Sequence, residues 1–508
     1  AFAVGGKMYT CTPNLNFIVN DITIPGDRNS SILNFAYFVQ AENYLVMNDG
    51  QAPPFIFDGA SSRRAGNGEI TTGTVAAYSD GRIWYAVNGG TAFRAGDLVR
   101  SSSGTQTYGY RDAVLKLTEN QLLNGGGDFS VPYSSGTISA MAIPATLDTS
   151  LGQGPLQVMT NQGAFSVKAP IDRTLWQNLT DPVQTVSAFG AGAVGYRAVA
   201  LVNGDIFFRS QDGIRSWFAA RRDYSNTWSN TPISYEIKRV IDSDNVYRLN
   251  FESAVLFNNR LMTTVWGRTH KMGIYHTGIV CMDFDPVSSM RGKKAPRWEG
   301  IWTGPKVLQL VVGTFNGIQR CFAFVLNTSY IQQLELWELD ETTNLDGGST
   351  RIPCAIESPG IFRDSPFAKK QLETSRIFIS GMTGRVDFSM QYRPDQWPCW
   401  VDWHSWSEAA CGDECETSAC LSGLAQQPQY RPRMGLPCPI DECDESTGMP
   451  MRMLYQMQFR LQWTGVCTVN QIRIDTVNKL DPPYGGCPKI EPCKDLGCCL
   501  PDPIGYEL

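Results

Sequence analysis

The sequence predicts an all-β chain: a β-propeller of about six blades, followed by a small β-sandwich with a cysteine-rich insertion and tail. Three observations predict it. Tight hairpins recur along the first two-thirds of the chain. Gly (48), Pro (29), Trp (13), Tyr (19) and Phe (24) are plentiful while charged residues make up only 18%, a balance that suits turns and aromatic-rich strands better than helices. The cysteines divide sharply, with Cys11, Cys281 and Cys321 before position 350 and the other twelve from Cys354 onward. At 508 residues the chain is too long for one ordinary core, so two or three domains are expected.

The first hairpin pairs residues 44–48 with 54–58 around Asp49-Gly50, a dipeptide that supplies the positive φ of a tight turn. The second pairs 82–87 with 91–93 around Asn88-Gly89-Gly90, and the third pairs 156–160 with 164–168 around Asn161-Gln162-Gly163. A fourth spans 204–222 and folds about Gln211-Asp212-Gly213. Residues 253–257 and 260–265 follow, joined by Asn258-Asn259, with 278–283 as the next strand. The last group is 307–313, 319–326 and 331–339, with Asn316-Gly317 turning the first pair. Six groups at this spacing match propeller blades, and five to seven blades all fit. One helix is expected over 232–242: Pro232 suits a first turn, and Ile233, Ile237, Val240 and Ile241 share a face.

Asp346-Gly347-Gly348-Ser349 reads as a linker, which places the boundary between 340 and 355, with the propeller over 1–345. The sandwich is expected over 355–480, with strands at 376–380, 385–392, 454–463 and 469–477, an insertion at 411–443 and a Pro/Cys-rich tail at 481–508. Twelve cysteines in so short a stretch indicate disulfides or a metal. Cys411, Cys415, Cys420, Cys438 and Cys443 lack the two-residue gap of zinc ribbons, so disulfides, zinc and free thiols all stay open, in that order. Cys498 and Cys499 are adjacent and are expected to pair with different partners; the odd total leaves at least one thiol unpaired or intermolecular.

The net charge of -6 provides no broad basic face for gripping nucleic acid. No apolar run reaches the roughly 18–20 residues that span a bilayer, so a soluble chain is expected. A first residue of Ala1 rather than Met suggests a processed or trimmed start. The sequons at Asn29, Asn178 and Asn327 are near chance frequency.

Ser210, Asp212 and Trp217 resemble the Asp-box of sialidase-type propellers, with Gly213 one position early; Asp212 is expected to accept backbone N–H groups in a structural turn. Arg63-Arg64 and Arg221-Arg222-Asp223 read as solvated, intersubunit or phosphate-contacting charge, and Arg291-Gly292-Lys293-Lys294 is the better candidate for phosphate. The three histidines, His270, His276 and His404, form no metal site or triad pattern. Trp397, Trp400, Trp403 and Trp406 could form a sugar platform but read better as core. No phosphate loop, nucleophile elbow or HExxH motif occurs, so no catalytic, cofactor-binding or metal residue is assigned, no cofactor is expected, and the chain reads as a non-enzyme.

Segments 44–59 (YLVMNDGQAPPFIFDG), 204–218 (GDIFFRSQDGIRSWF), 220–223 (ARRD), 230–234 (NTPIS) and 253–261 (SAVLFNNRL) together resemble tailed-bacteriophage tail hub or nozzle (tail tubular) proteins. The resemblance implies a structural virion protein: a ring, commonly of six copies, that continues the DNA channel below the portal and adaptor and helps retain and release the genome. Its implied partners are copies of itself, adaptor or portal-side proteins, tail fibres and DNA in sequence-independent passage. An acidic chain suits that role, because a negative lumen lets a duplex slide. The cysteine-rich part has no counterpart in that pattern. The alternative is a propeller that binds glycans or hydrolyses them like a sialidase; a disulfide-stapled surface adhesin is a third reading.

Overall fold

The computed structural model describes residues 1–12, 18–27, 35–87, 90–99, 111–119, 128–144, 154–179, 182–185, 191–217, 232–267, 277–285, 296–304, 306–327, 333–340, 345–346, 350–362, 370–394, 399–409, 433–435 and 453–478. Two compact units, Ala1–Leu339 and Asp340–Leu508, divide the chain.

In the first unit, seven small antiparallel sheets follow one another in chain order among the described residues. The amino-terminal sheet is β1 (Phe2–Val4), β2 (Lys7–Thr12) and β3 (Ile18–Asp21). The first blade is β4 (Tyr37–Ala41), β5 (Tyr44–Asn48), β6 (Phe55–Phe57) and β7 (Ser62–Arg64). The second is β8 (Gly73–Ser79), β9 (Arg82–Val87), β10 (Ala92–Ala95) and β11 (Asp128–Ser130), and the third β12 (Ile138–Ala142), β13 (Leu156–Thr160), β14 (Ala164–Val167) and β15 (Val183–Thr185). The fourth has β16 (Val199–Val202), β17 (Asp205–Ser210) and β18 (Gly213–Ser216). The fifth has β19 (Ala254–Phe257), β20 (Arg260–Trp266), β21 (Thr277–Asp283) and β22 (Arg297–Thr303), and the sixth β23 (Lys306–Phe315), β24 (Ile318–Asn327) and β25 (Gln333–Glu338).

Each blade is an up-and-down meander, and its opening strand packs on the opening strand of the next: β4 on β8, β8 on β12, β12 on β16, β16 on β19, β19 on β23. This is a β-propeller. The amino-terminal sheet touches both the sixth and the first blade: the Phe2 ring lies 5.4 Å from that of Phe324, and Met8 packs with Met47 and Phe55. Positive φ at Asp80-Gly81, Asn203-Gly204, Asn258-Asn259 and Asn316-Gly317 identifies the two-residue turns that join first to second strands. Asn, Asp and Gly occupy them because those residues enter the left-handed region at least cost. The core lies between blades. Trp84 and Phe93 meet Val158 and Phe165 across the second and third, and Phe207 and Ile214 meet Leu261 and Val280 across the fourth and fifth. Middle strands are therefore buried on both faces, and β13 and β14 have no exposed position.

The helix expected over 232–242 is broken. A 3₁₀ turn, Ile233–Ile237, precedes α1 (Lys238–Asp242), and Ser234 leaves helical geometry while its hydroxyl accepts the Ile214 N–H at 3.0 Å. Docking on the fourth blade overrides the local 3.6-residue pattern. Val240 and Ile241 still face the core as their spacing predicts.

The second unit contains β26 (Leu345–Asp346), β27 (Thr350–Arg351), β28 (Pro353–Glu357), β29 (Lys370–Pro394), β30 (Val401–Ala409), β31 (Arg433–Gly435), β32 (Met453–Leu454) and β33 (Met457–Asn478). The main sheet has the order β28-β33-β29-β30, with β31 and β32 also on β29. The four strands read from the sequence are the halves of two: β29 covers 376–380 and 385–392, and β33 covers 457–463 and 469–477. Their pairing shifts register between Ser380 and Asp387, opposite Gly465 at φ 120°, where a Cβ would sit 2.6 Å from the Arg385 carbonyl oxygen. Leu372, Ile377 and Ile379 from one half share a core with Val386, Phe388, Met390 and Leu461 from the other. One sheet bent on itself thus supplies the two sandwich layers. No helix among the described residues is long and apolar enough to cross a membrane.

Candidate functional site

The Asp-box-like hairpin is braced by side chains. Ser210 Oγ lies 2.7 Å from both Asp212 Oδ1 and the Gly213 carbonyl oxygen, and Arg215 donates to Ser210 Oγ at 3.0 Å and to Asp212 Oδ2 at 2.5 Å. Beside a backbone N–H, as the sequence suggests, Asp212 has a hydroxyl and a guanidinium. The turn is only two residues, so the strand-borne Ser210 and Arg215 side chains reach the carboxylate. Burial pushes the Asp212 carboxyl up, and Ser210 and Arg215 outweigh it, leaving the group below its ordinary value. A carboxylate held ionised in this way braces a turn and is poorly placed to give a proton.

Gly213 has a separate reason to be glycine: a Cβ there would stand 2.4 Å from Pro232 Cβ and 2.7 Å from Ser234 Oγ. The hairpin and the 232–234 segment therefore fit only without a side chain. Gly213→Ala is expected to lower stability by about 1–3 kcal/mol, measured by urea denaturation. Trp217, 1% exposed, packs with Met159, Ala164 and Phe208 between the third and fourth blades.

Arg63 and Arg64 are engaged within the first unit. Arg63 grips Glu69 with two bonds (2.6 and 3.0 Å), Lys116 adds a third at 2.8 Å, and Arg64 pairs with Asp27 at 2.6 Å. Burial raises the Glu69 carboxyl, but Arg63, Lys116 and the Gly66 N–H overcome it and hold the group at about 2. Because the folded value lies below the unfolded 4.5, this stabilisation is present above pH 4.5 and lost as pH falls toward 2. Glu69→Gln is expected to cost about 1–3 kcal/mol at pH 7 and to flatten that part of the stability–pH curve.

In the second unit the tryptophans do not form one platform. Trp403 is 3% exposed beside Tyr392 and Phe459. Trp406 stacks between Phe388 (4.9 Å) and His404 (5.5 Å), and Trp400 lies under the guanidinium groups of Arg393 (4.8 Å) and Arg460 (4.2 Å). A register shift on β30 between Asp402 and His404 puts Trp403 and Trp406, three apart, in the same core. His404 is thus a stacking residue on an exposed strand position.

Cys399 is disulfide-bonded, while Cys11, Cys281, Cys321, Cys354 and Cys467 are free thiols. Burial pushes Cys321 up to about 12, and Cys467 to about 11 with Cys354 adding to it, so these thiols are poor nucleophiles and metal ligands. No group of three or more potential metal ligands occurs among the described residues. Arg221-Arg222-Asp223, Arg291-Gly292-Lys293-Lys294, His270, His276, Trp397, Asn29, the cysteines at 411–443, Cys498-Cys499 and the 481–508 tail lie outside the described residues.

Two buried ionic clusters escape the sequence reading. Arg209 on β17 bonds Asp244 (3.3 Å) and Glu252 (3.1 Å), all three at most 2% exposed. Arg82 on β9 bonds Glu119 at 2.5 Å beside Arg173, whose guanidinium lies 4.0 Å from the Trp176 ring. The available signal was a lone arginine inside an apolar strand, as in Ile206-Phe207-Phe208-Arg209. At the lead-ins to opening strands, Phe35, Tyr37, Tyr196 and Phe251 form one aromatic cluster, with ring separations of 4.7 to 6.0 Å. Phe35 precedes the first blade and Tyr196 the fourth. Their contact joins two blades that are not neighbours in chain order.

No family model matches the chain, and no curated protein matches it. Among solved structures, the chain is similar to BamB from Moraxella catarrhalis, at 10% identity over 63% of this chain and 91% of that one, with a TM-score of 0.27. It is similar to PorZ of Porphyromonas gingivalis, a surface component of the type-IX secretion system, at 10% identity over 85% of this chain and 58% of that one, TM-score 0.26. It is also similar to Trypanosoma rangeli sialidase, at 9% identity over 94% and 96%, TM-score 0.28. Overlaps this loose say nothing of what the chain does.

Proposed function

We propose that this chain is a structural subunit of a bacteriophage tail, assembled as a homo-hexameric ring that continues the DNA channel below the portal and adaptor and helps retain and release the genome. The observation that carries the reading is what the nozzle-like segments are used for. Asp49 and Asp58 take backbone N–H groups in their turns, Ser210, Asp212 and Arg215 brace a hairpin, and Ser234 docks on it. Residues that carry the likeness are spent on scaffold, which suits a load-carrying ring.

The test is the native mass of the purified chain by light scattering, with direct imaging of the particles. A ring six times the chain mass with carboxylates on its inner wall is expected. A monomer that binds or cleaves sialosides would overturn the reading in favour of the glycan alternative.

A further inference from the structure

We propose that the first unit holds a binding site for a small zwitterion of the α-amino-acid class with an apolar side chain. The site is a cavity of about 240 Å³, lined by the amino-terminal sheet, the first and sixth blades and the lead-in to the fourth. Four aromatic residues, Phe2, Phe35, Phe38 and Phe324, contribute to its wall, and among its lining residues Asp49 and Arg197 alone have charged side chains.

Asp49 is 7% exposed. Its Oδ1 accepts the Gln51 and Ala52 N–H groups at 2.8 and 2.7 Å, whereas its buried Oδ2 has no hydrogen-bond partner. A buried carboxylate oxygen left unpaired is costly, and an ammonium group is the donor that relieves it best. Arg197 is oriented from behind: Nε donates to Tyr196 Oη at 2.6 Å, and the guanidinium lies over the Phe35 ring at 5.5 Å. Among the described residues its terminal nitrogens meet no acceptor, which leaves them for a carboxylate.

Asp49 and Arg197 line one cavity yet form no ion pair with each other among the described residues. Opposite charges held apart in a shared cavity match a ligand that carries both signs. The volume lies below the usual range for drug-sized ligands and suits a single amino acid, with its side chain among the rings.

The test is calorimetric titration of the full chain with three probes: L-phenylalanine, phenethylamine, which lacks the carboxylate, and 3-phenylpropionate, which lacks the ammonium. L-Phenylalanine is expected to bind at least about tenfold more tightly than either, one charge-assisted contact being lost in each case. Asp49→Asn keeps the turn acceptor and Arg197→Gln keeps a polar side chain; each, with its melting transition checked, is expected to weaken L-phenylalanine about tenfold or more. Absence of binding, equal binding of phenethylamine, or unchanged affinity in a folded Asp49→Asn protein would overturn the proposal.

Discussion

Arg209→Met is expected to destabilise the first unit by about 3–5 kcal/mol, because it removes the guanidinium bonded to two buried acids. Arg209 sits on β17 of the fourth blade, and Asp244 and Glu252 lie in the chain leading to the fifth, so the cluster ties two blades. Asp244 Oδ1 is already committed to the N–H groups of Asn245 and Trp266, at 2.9 and 3.0 Å. One guanidinium therefore faces two buried acids. Burial, together with the neighbouring Asp244 carboxyl, pushes Glu252 well above its usual value of 4.5.

The pH dependence follows from that direction. A folded value above the unfolded one means that the Glu252 contribution is whole below pH 4.5 and declines as pH rises toward the folded value. Glu252→Gln keeps the shape without the proton equilibrium. It should change stability at pH 7 by no more than about 1 kcal/mol and remove that decline. Urea denaturation of the three proteins between pH 5 and 8 checks both statements; a loss below about 1 kcal/mol for Arg209→Met would show that the cluster does not hold the blades together.

Trp84→Ala is expected to cost about 3–5 kcal/mol, through lost transfer energy and the void left behind. The indole is 3% exposed, stacks on Trp176 at 5.4 Å and 20°, and meets Phe93 and Phe129 at 6.0 Å. Trp176 in turn receives the Arg82 guanidinium at 5.3 Å and that of Arg173 at 4.0 Å. Burial, with Arg82 adjacent, lowers the Arg173 value to about 10, a sign of how little water reaches this junction between blades. Thermal or urea denaturation gives the cost. Tyr133→Ala, at a side chain 90% exposed, should stay within about 0.5 kcal/mol of the parent and serves as the control.

The hairpins were legible because a tight turn is a local event. Asn258-Asn259 and Asn316-Gly317 turn β19 into β20 and β23 into β24, as their residue types predict. The blade period was blurred for an equally local reason: the turns at Gly50, Gly163 and Gly213 join second to third strands, while those at Asn258 and Asn316 join first to second. Sequence alone does not distinguish the two classes, so spacing measured from turn to turn drifts. The opening strand β12 has no tight two-residue turn to the next strand, and its pairing and packing define it.

The sequence by itself determined the all-β character, the turn positions, the concentration of cysteine beyond residue 350 and the core-facing side of the 232–242 segment. Each follows from the conformational preference of a few adjacent residues. Tertiary structure decided the rest: that 376–392 is one bent strand, that Ser234 breaks its helix to dock on Ile214, and that Arg209 and Arg82 bury their charges between blades. It also decided that Asp49 and Arg197, distant in sequence, line one cavity. Burial and electrostatic pairing depend on which residues meet across the ring, and no spacing along the chain encodes those meetings.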